Sequence, residues 1–198
     1  MFSPRFVSLA VFASVLLVQA PSVLAENLPA THPTAAIVKE YLTAVVNQDW
    51  NKAGGMLAVP SLEKKLQETV SVIKMAPTMT EEAAMLGKLG VKDLAELEKM
   101  SPTAFYAAER TAVHQRMSMD PAVLAKKKET LKINIIGLAG EDGDKIVHAV
   151  VRTSQETLKE KIQELFLISL QQDEKDTKKW VIVPDMMRPL AEKLPGGE

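Results

Sequence analysis

The sequence predicts an α+β fold, with N-terminal helices packed on a C-terminal, four-stranded antiparallel sheet. Three observations carry that prediction. Apolar residues recur at three- and four-residue spacing from Ala35 to Met117. After Thr130 the period falls to two, with Leu131, Ile133 and Ile135 alternating with Lys132 and Asn134. The later strands are strongly apolar, so helices must cover at least one face of their sheet.

The elements follow in order. Residues 1–25 read as a secretory signal peptide. Arg5 supplies the positive start, Phe6 to Ala20 is almost wholly apolar, and Val23-Leu24-Ala25 forms a cleavage site after Ala25. The uninterrupted apolar run falls short of the roughly 20 residues that span a bilayer. Residues 26–198 then read as a single domain. Its helical part is 34–128, its sheet 131–183 and its tail 184–198. Glu26 to Pro33 is a polar leader, and Thr31 or Thr34 is placed to cap the first helix, with Pro33 near its start. Ile37, Val38, Tyr41, Leu42 and Val45 share one arc of that helix, which therefore lies on a core. Asp49-Trp50-Asn51 marks a bend before a short helix over Ala53 to Leu57. Pro60 closes this unit and Ser61 caps a helix carrying Leu62, Leu66, Val70 and Ile73. Thr78 and Glu81 have capping-box spacing, and Gly90 stops the helix they start. Asp93 to Met100 adds another turn or two. Ser101-Pro102 and Asp120-Pro121 each combine a cap with proline at the first helical position.

In the sheet, Asp142-Gly143 signals a hairpin. Ile146 to Val151 is β-branched and apolar on both parities except at His148, which predicts a central strand covered on both faces. Lys161 to Gln171 is a long strand. A charged turn then leads to Trp180-Val181-Ile182-Val183, which Pro184 stops. Asp185 to Leu194 is expected to form a short amphipathic helix.

Composition narrows the function. Cysteine is absent, which excludes disulfides, thiolate metal sites and cysteine nucleophiles. Lys and Arg total 24 against 25 Asp and Glu, a formal net charge of -1, without the basic excess of a nucleic-acid binder. An exported chain without disulfides suits a bacterial periplasm best, with the extracellular space as the alternative. No second long apolar run follows the leader, so no integral membrane span is expected after cleavage.

Motifs of established chemistry are missing or explained. His32, His114 and His148 have no metal-binding spacing, so no metal is expected. The phosphate loops are absent, and no cofactor is implied. Ser61-Leu62-Glu63-Lys64 and Ser71-Val72-Ile73-Lys74 match Ser-x-x-Lys by chance frequency alone, without its partner motifs. Glu141 to Asp144 lacks the alternating ligands of a calcium loop. Lys126 to Lys128 is a solvated helix end.

Three stretches carry a resemblance. Val38-Lys39-Glu40-Tyr41-Leu42-Thr43-Ala44 with Asn47-Gln48-Asp49-Trp50 gives a Tyr-Leu-x-Ala helix and an acidic-aromatic step. Lys145 to Thr153 is a central strand. A charged turn precedes Trp180-Val181-Ile182. Together they resemble the nuclear transport factor 2-like (SnoaL-like, cystatin-like α+β) superfamily, in its uncharacterised exported bacterial branch. The resemblance implies a curved, cone-shaped sheet with an opening at one end. The segment Ser61 to Lys128 is enlarged relative to that fold.

The resemblance also directs the search for a site. Tyr41, His148 and Trp180 are the inward candidates for a pocket. Glu164 is the acid inside a strand, and it is expected on the open face. Without an inward acid, the leading expectation is a non-enzymatic exported domain that binds a small apolar ligand or a protein partner. Methionines such as Met75, Met79 and Met117 fit an adaptable surface. One alternative is an isomerase- or lyase-like enzyme using Tyr41 as donor and His148 as base, which requires both to reach one cavity. The other is a homodimer through the sheet, suggested by the apolar run Leu165 to Leu170.

Overall fold

The computed structural model describes residues 26–117, 119–141, 143, 145–184 and 188–191. The signal-peptide reading of residues 1–25 lies outside the described residues. The fold is α+β, and among the described residues seven helices stand ahead of the long strands of an open antiparallel sheet.

Helix α1 (Pro33–Asn47) begins with proline in its first turn and ends at Gln48 in the left-handed conformation. Its cap is His32, not Thr31 or Thr34. The His32 Nδ1 accepts from the Thr34 N–H at 3.4 Å and lies 2.8 Å from Thr34 Oγ1. Thr34 itself is fully buried inside the helix. Asp49 caps α2 (Trp50–Gly55) by accepting from the Lys52 N–H.

Helix α3 (Val59–Lys74) starts two residues before Ser61 and has no side-chain cap. Pro60 sits in its first turn, where a missing N–H costs nothing. The sheet replaces the cap. The segment between α2 and α3 runs beside β5 (Trp180–Ile182), with Ala58 N–H donating to Ile182 O and Ile182 N–H donating to Met56 O. Tertiary pairing therefore moved this boundary. Helices α4 (Met79–Leu89), α5 (Leu94–Glu98), α6 (Pro102–Met117) and α7 (Pro121–Thr130) start at the caps Thr78, Asp93, Ser101 and Asp120. Gly90 closes α4 at φ 72°, where a side chain would be strained.

Strands β2 (Lys132–Glu141), β3 (Ile146–Glu156) and β4 (Lys161–Gln172) form the body of the sheet, and β5 continues it in the expected order. Two short strands join these four. The expected leader contributes β1 (Glu26–Asn27), paired with Ala139 and Gly140 of β2. The expected tail helix is instead β6 (Arg188–Ala191), paired with Leu165 to Leu167. Both fill an edge whose backbone groups would otherwise lack partners. Ile136 is an extra residue in β2, a bulge of the kind that bends a strand.

Register sorts the sheet into two faces, because directly paired residues point the same way. Val147, Ala149 and Val151 are fully buried against the helices, with Leu138, Ile168, Leu170 and Ile182 beside them. Val38, Tyr41 and Leu42 of α1 complete this first cluster. The other face carries Ile146, His148, Val150, Leu165 and Leu167, all half-buried. Among the described residues, the strand Ile146–Val151 is thus covered by helices on one face only, not on both as expected. A second cluster lies wholly within the helices, around Leu66, Ile73, Leu86, Leu97 and Phe105. It gives the enlarged helical segment a core of its own. Among the described residues, no helix is long and apolar enough to cross a membrane.

Candidate functional site

The three candidate residues do not meet. Tyr41 points from α1 into the first cluster and is 4% exposed. Its hydroxyl is hydrogen-bonded to Tyr106 of α6. Burial, then the neighbouring Tyr106 oxygen and that hydrogen bond, push the Tyr41 phenol well above its ordinary value, with the Arg110 charge opposing them. Tyr41 therefore keeps its proton and serves as a donor in the core. An unfolded phenol ionises near pH 10, whereas folded Tyr41 stays protonated beyond that. Its contribution to stability is complete below about pH 10 and is lost as pH rises further. Tyr41→Phe should lower stability by about 1 kcal/mol at neutral pH. It should also flatten the alkaline fall, as read by urea denaturation at pH 8 and pH 11. Parallel alkaline slopes in the two proteins would refute this.

His148 projects from β3 onto the opposite face. Its Nδ1 lies 2.8 Å from Ser169 Oγ, directly across the ladder on β4. Its Nε2 lies 3.4 Å from Glu141 Oε2 on β2. The hydroxyl, imidazole and carboxylate stand in the order of a proton relay. Ser169 is 1% exposed in mid-strand, so its hydroxyl is shielded from solvent. The two contacts hold the imidazole between β2 and β4. Sequence reasoning missed Ser169, because only strand register brings residues 21 apart in the chain together, and it missed Glu141, which meets His148 across the β2–β3 hairpin.

Trp180 starts β5 and packs on the helix side, with its ring edge-on to His32 at 5.5 Å. Glu164 pairs with buried Thr153, so it shares the helix-facing side rather than the open face. Of the methionines, Met75, Met79 and Met117 are exposed, while Met85 and Met100 pack on the second cluster.

Four clefts on the surface of the described residues are lined by none of Tyr41, His148 and Trp180. One lies between α3 and α5, with Glu63 and Glu98. A second lies among α3, α4 and α6, with Glu68 and Glu109. The third lies where α3 begins beside β4 and β5, with Glu63, Asp173 and Glu174. The fourth lies where the end of α1 meets α2, α6 and α7, and it has a volume of about 370 Å³. Among the described residues, no group of three His, Asp or Glu side chains is placed to hold a metal ion. No family model, curated protein or solved structure matches the chain, so the reading of its function rests on its own residues.

Proposed function

We propose that the protein is an exported, non-enzymatic interaction module of nuclear transport factor 2-like type, which pairs with a second copy of itself through the outer face of its sheet. The observation that carries this reading is the apolar stripe Ile146, Val150, Leu165 and Leu167. These side chains share one face, lie half-buried and belong to neither core cluster. A partly exposed apolar stripe with no described helix over it marks an interaction surface. A small apolar ligand is the weaker occupant, since the stripe is a flat face and not a concave pocket.

Charge favours a second copy. Glu141 lies toward one end of the stripe, and exposed Lys132 and Arg152 lie toward the other. A two-fold axis running across the strands sets the basic end of one copy over the acidic end of its partner, the self-complementarity an isologous pair needs. The three long strands, ten to twelve residues each, present a face of about 14 by 34 Å, or roughly 480 Å². Stable interfaces use about 800 Å² per partner, so the pair should be concentration-dependent. The enzymatic alternative draws no support, because Tyr41 and His148 stand on opposite sides of the sheet.

The test is sedimentation. The purified chain should dimerise reversibly, and Leu167→Lys should leave a folded monomer with an unchanged far-ultraviolet spectrum. A clean wild-type monomer at high concentration, or an undisturbed Leu167→Lys dimer, overturns the reading.

A further inference from the structure

The cleft among α3, α4 and α6 combines an apolar floor with a cationic rim. Each helix turns one side toward it. Lys65, Thr69 and Ile73 recur every four residues on α3, and Met85 and Leu89 do so on α4. Glu109 and Arg116, about two turns apart on α6, close the third side. The floor is the outer surface of the second cluster. Ile73 is a buried member of that cluster, and half-buried Met85 and Leu89 pack against it. Val72 stands above them and is 53% exposed. The cleft has a volume of about 360 Å³, at the lower end of the range of small-ligand sites.

Three cations and two carboxylates line this cleft. Both carboxylates are already engaged with lysines, Glu109 with Lys65 at 2.6 Å and Glu68 with Lys64 at 4.0 Å. The remaining cations, Lys88 and Arg116, form no ion pair among the described residues. Arg116 spends one N–H on the Ala112 carbonyl, at 3.1 Å. Lys88 and Arg116 stand on different helices and are exposed, so they mark the rim rather than the floor. Each lies in the last turn of its helix, where the dipole favours a cation. That accounts for their sign but supplies neither with a carboxylate.

The other three clefts lack this combination. The one between α3 and α5 is lined by two glutamates and no cation. The one beside β4 and β5 sets three acids against Lys175. The one beside α7 has no lysine, arginine, aspartate or glutamate in its lining. A neutral apolar molecule on the α3–α4–α6 floor would leave both rim cations unused, and a cationic amphiphile would meet them as like charges. An anionic amphiphile uses floor and rim together. Exposed charge pairs are screened by water, so burial of the apolar chain supplies most of the affinity and the rim selects the head group.

We infer that the cleft among α3, α4 and α6 binds a small fatty-acid-like carboxylate, with its chain on Val72, Ile73, Met85 and Leu89 and its head group at Lys88 and Arg116. The site is built by helices alone, so it is independent of the outer sheet face.

The experiment titrates the purified chain with octanoate, with octanamide as its neutral isostere and with octylammonium as its charge-reversed counterpart. Methionine methyl groups, labelled with carbon-13, are followed by nuclear magnetic resonance. Octanoate should shift the Met85 methyl saturably and leave that of Met119, which lines the cleft beside α7, in place. Octanamide should bind about fivefold more weakly and octylammonium at least about tenfold more weakly, the scale of two exposed charge pairs. The double variant Lys88→Gln, Arg116→Gln should weaken octanoate by about fivefold and bring its affinity to that of octanamide. Val72→Glu, at an exposed position, should weaken octanoate by at least about tenfold by setting a carboxylate over the floor. Should the double variant fail to fold, Val72→Glu and the head-group series still decide. An absent or unsaturable Met85 shift, an equal shift at Met119, octylammonium binding as tightly as octanoate, or full octanoate affinity in the folded double variant or in Val72→Glu overturns the inference.

Discussion

Phe105→Ala should cost about 3–5 kcal/mol, the largest loss expected from a single truncation in this chain. Phe105 is 1% exposed and packs in the second cluster with Leu66, Ile73, Leu86, Val91 and Leu97, which reach it from α3, α4, α5 and the α4–α5 turn. That cluster is small and far from the sheet in sequence, so neighbours have little freedom to collapse into the void. Domains hold only about 5–15 kcal/mol in total. The loss should therefore concentrate in the helical segment. Amide exchange in α3, α4 and α5 should accelerate well before exchange in β3 and β4 does. A cost below about 1.5 kcal/mol by urea denaturation, or uniform acceleration across sheet and helices, would show that the helical core is not separable in this way.

Gly54 and Gly55 should respond to alanine with opposite signs. A Cβ on Gly54 would stand 2.9 Å from Tyr106 Cδ1 and 3.1 Å from Thr103 Cγ2, whereas one on Gly55 would meet nothing within 4 Å. Alanine normally favours a helix over glycine by about 1 kcal/mol. Gly55→Ala should thus hold or raise stability by about 0.5–1 kcal/mol. Gly54→Ala should lower it by about 1–3 kcal/mol, and Gly54→Val by more, because the aromatic ring it strikes is a rigid obstacle. Moving Tyr106 also disturbs its hydrogen bond to Tyr41 and its stack with Arg110. Thermal unfolding of the three variants checks this, and stabilisation by Gly54→Ala would refute the close approach of α2 and α6.

Local chemistry makes much of the fold legible. Four N-terminal signals, at Thr78, Asp93, Ser101 and Asp120, start helices because each side chain satisfies an amide within its own first turn. The four expected strands can be read from their period and their β-branched content. Where the structure departs from the local pattern, one cause recurs. Ser61 has the chemistry of a cap, but α3 begins earlier because Ala58 is tied to Ile182 from the far end of the chain. The leader and the tail have the patterns of coil and helix, yet Glu26–Asn27 and Arg188–Ala191 are strands at sheet edges. Neither segment has a strand pattern of its own.

The site is less legible than the fold. Tyr41 lies on the inward arc that helical periodicity alone assigns to α1. Its partner Tyr106 cannot be inferred, because no local rule links the two helices. His148 sits at a position where strand parity can be counted, but parity does not say which face the helices will cover.

By itself, the sequence determined the class of fold, the order of its helices and its four main strands, and the lack of cysteine chemistry, because these follow from residue types and spacings within a few turns. Only the tertiary structure decided which sheet face the helices cover, that Gln48 and Trp50 meet His114, and which segments serve as edges. Those outcomes depend on contacts between residues distant in the chain, whose free energies no local pattern contains.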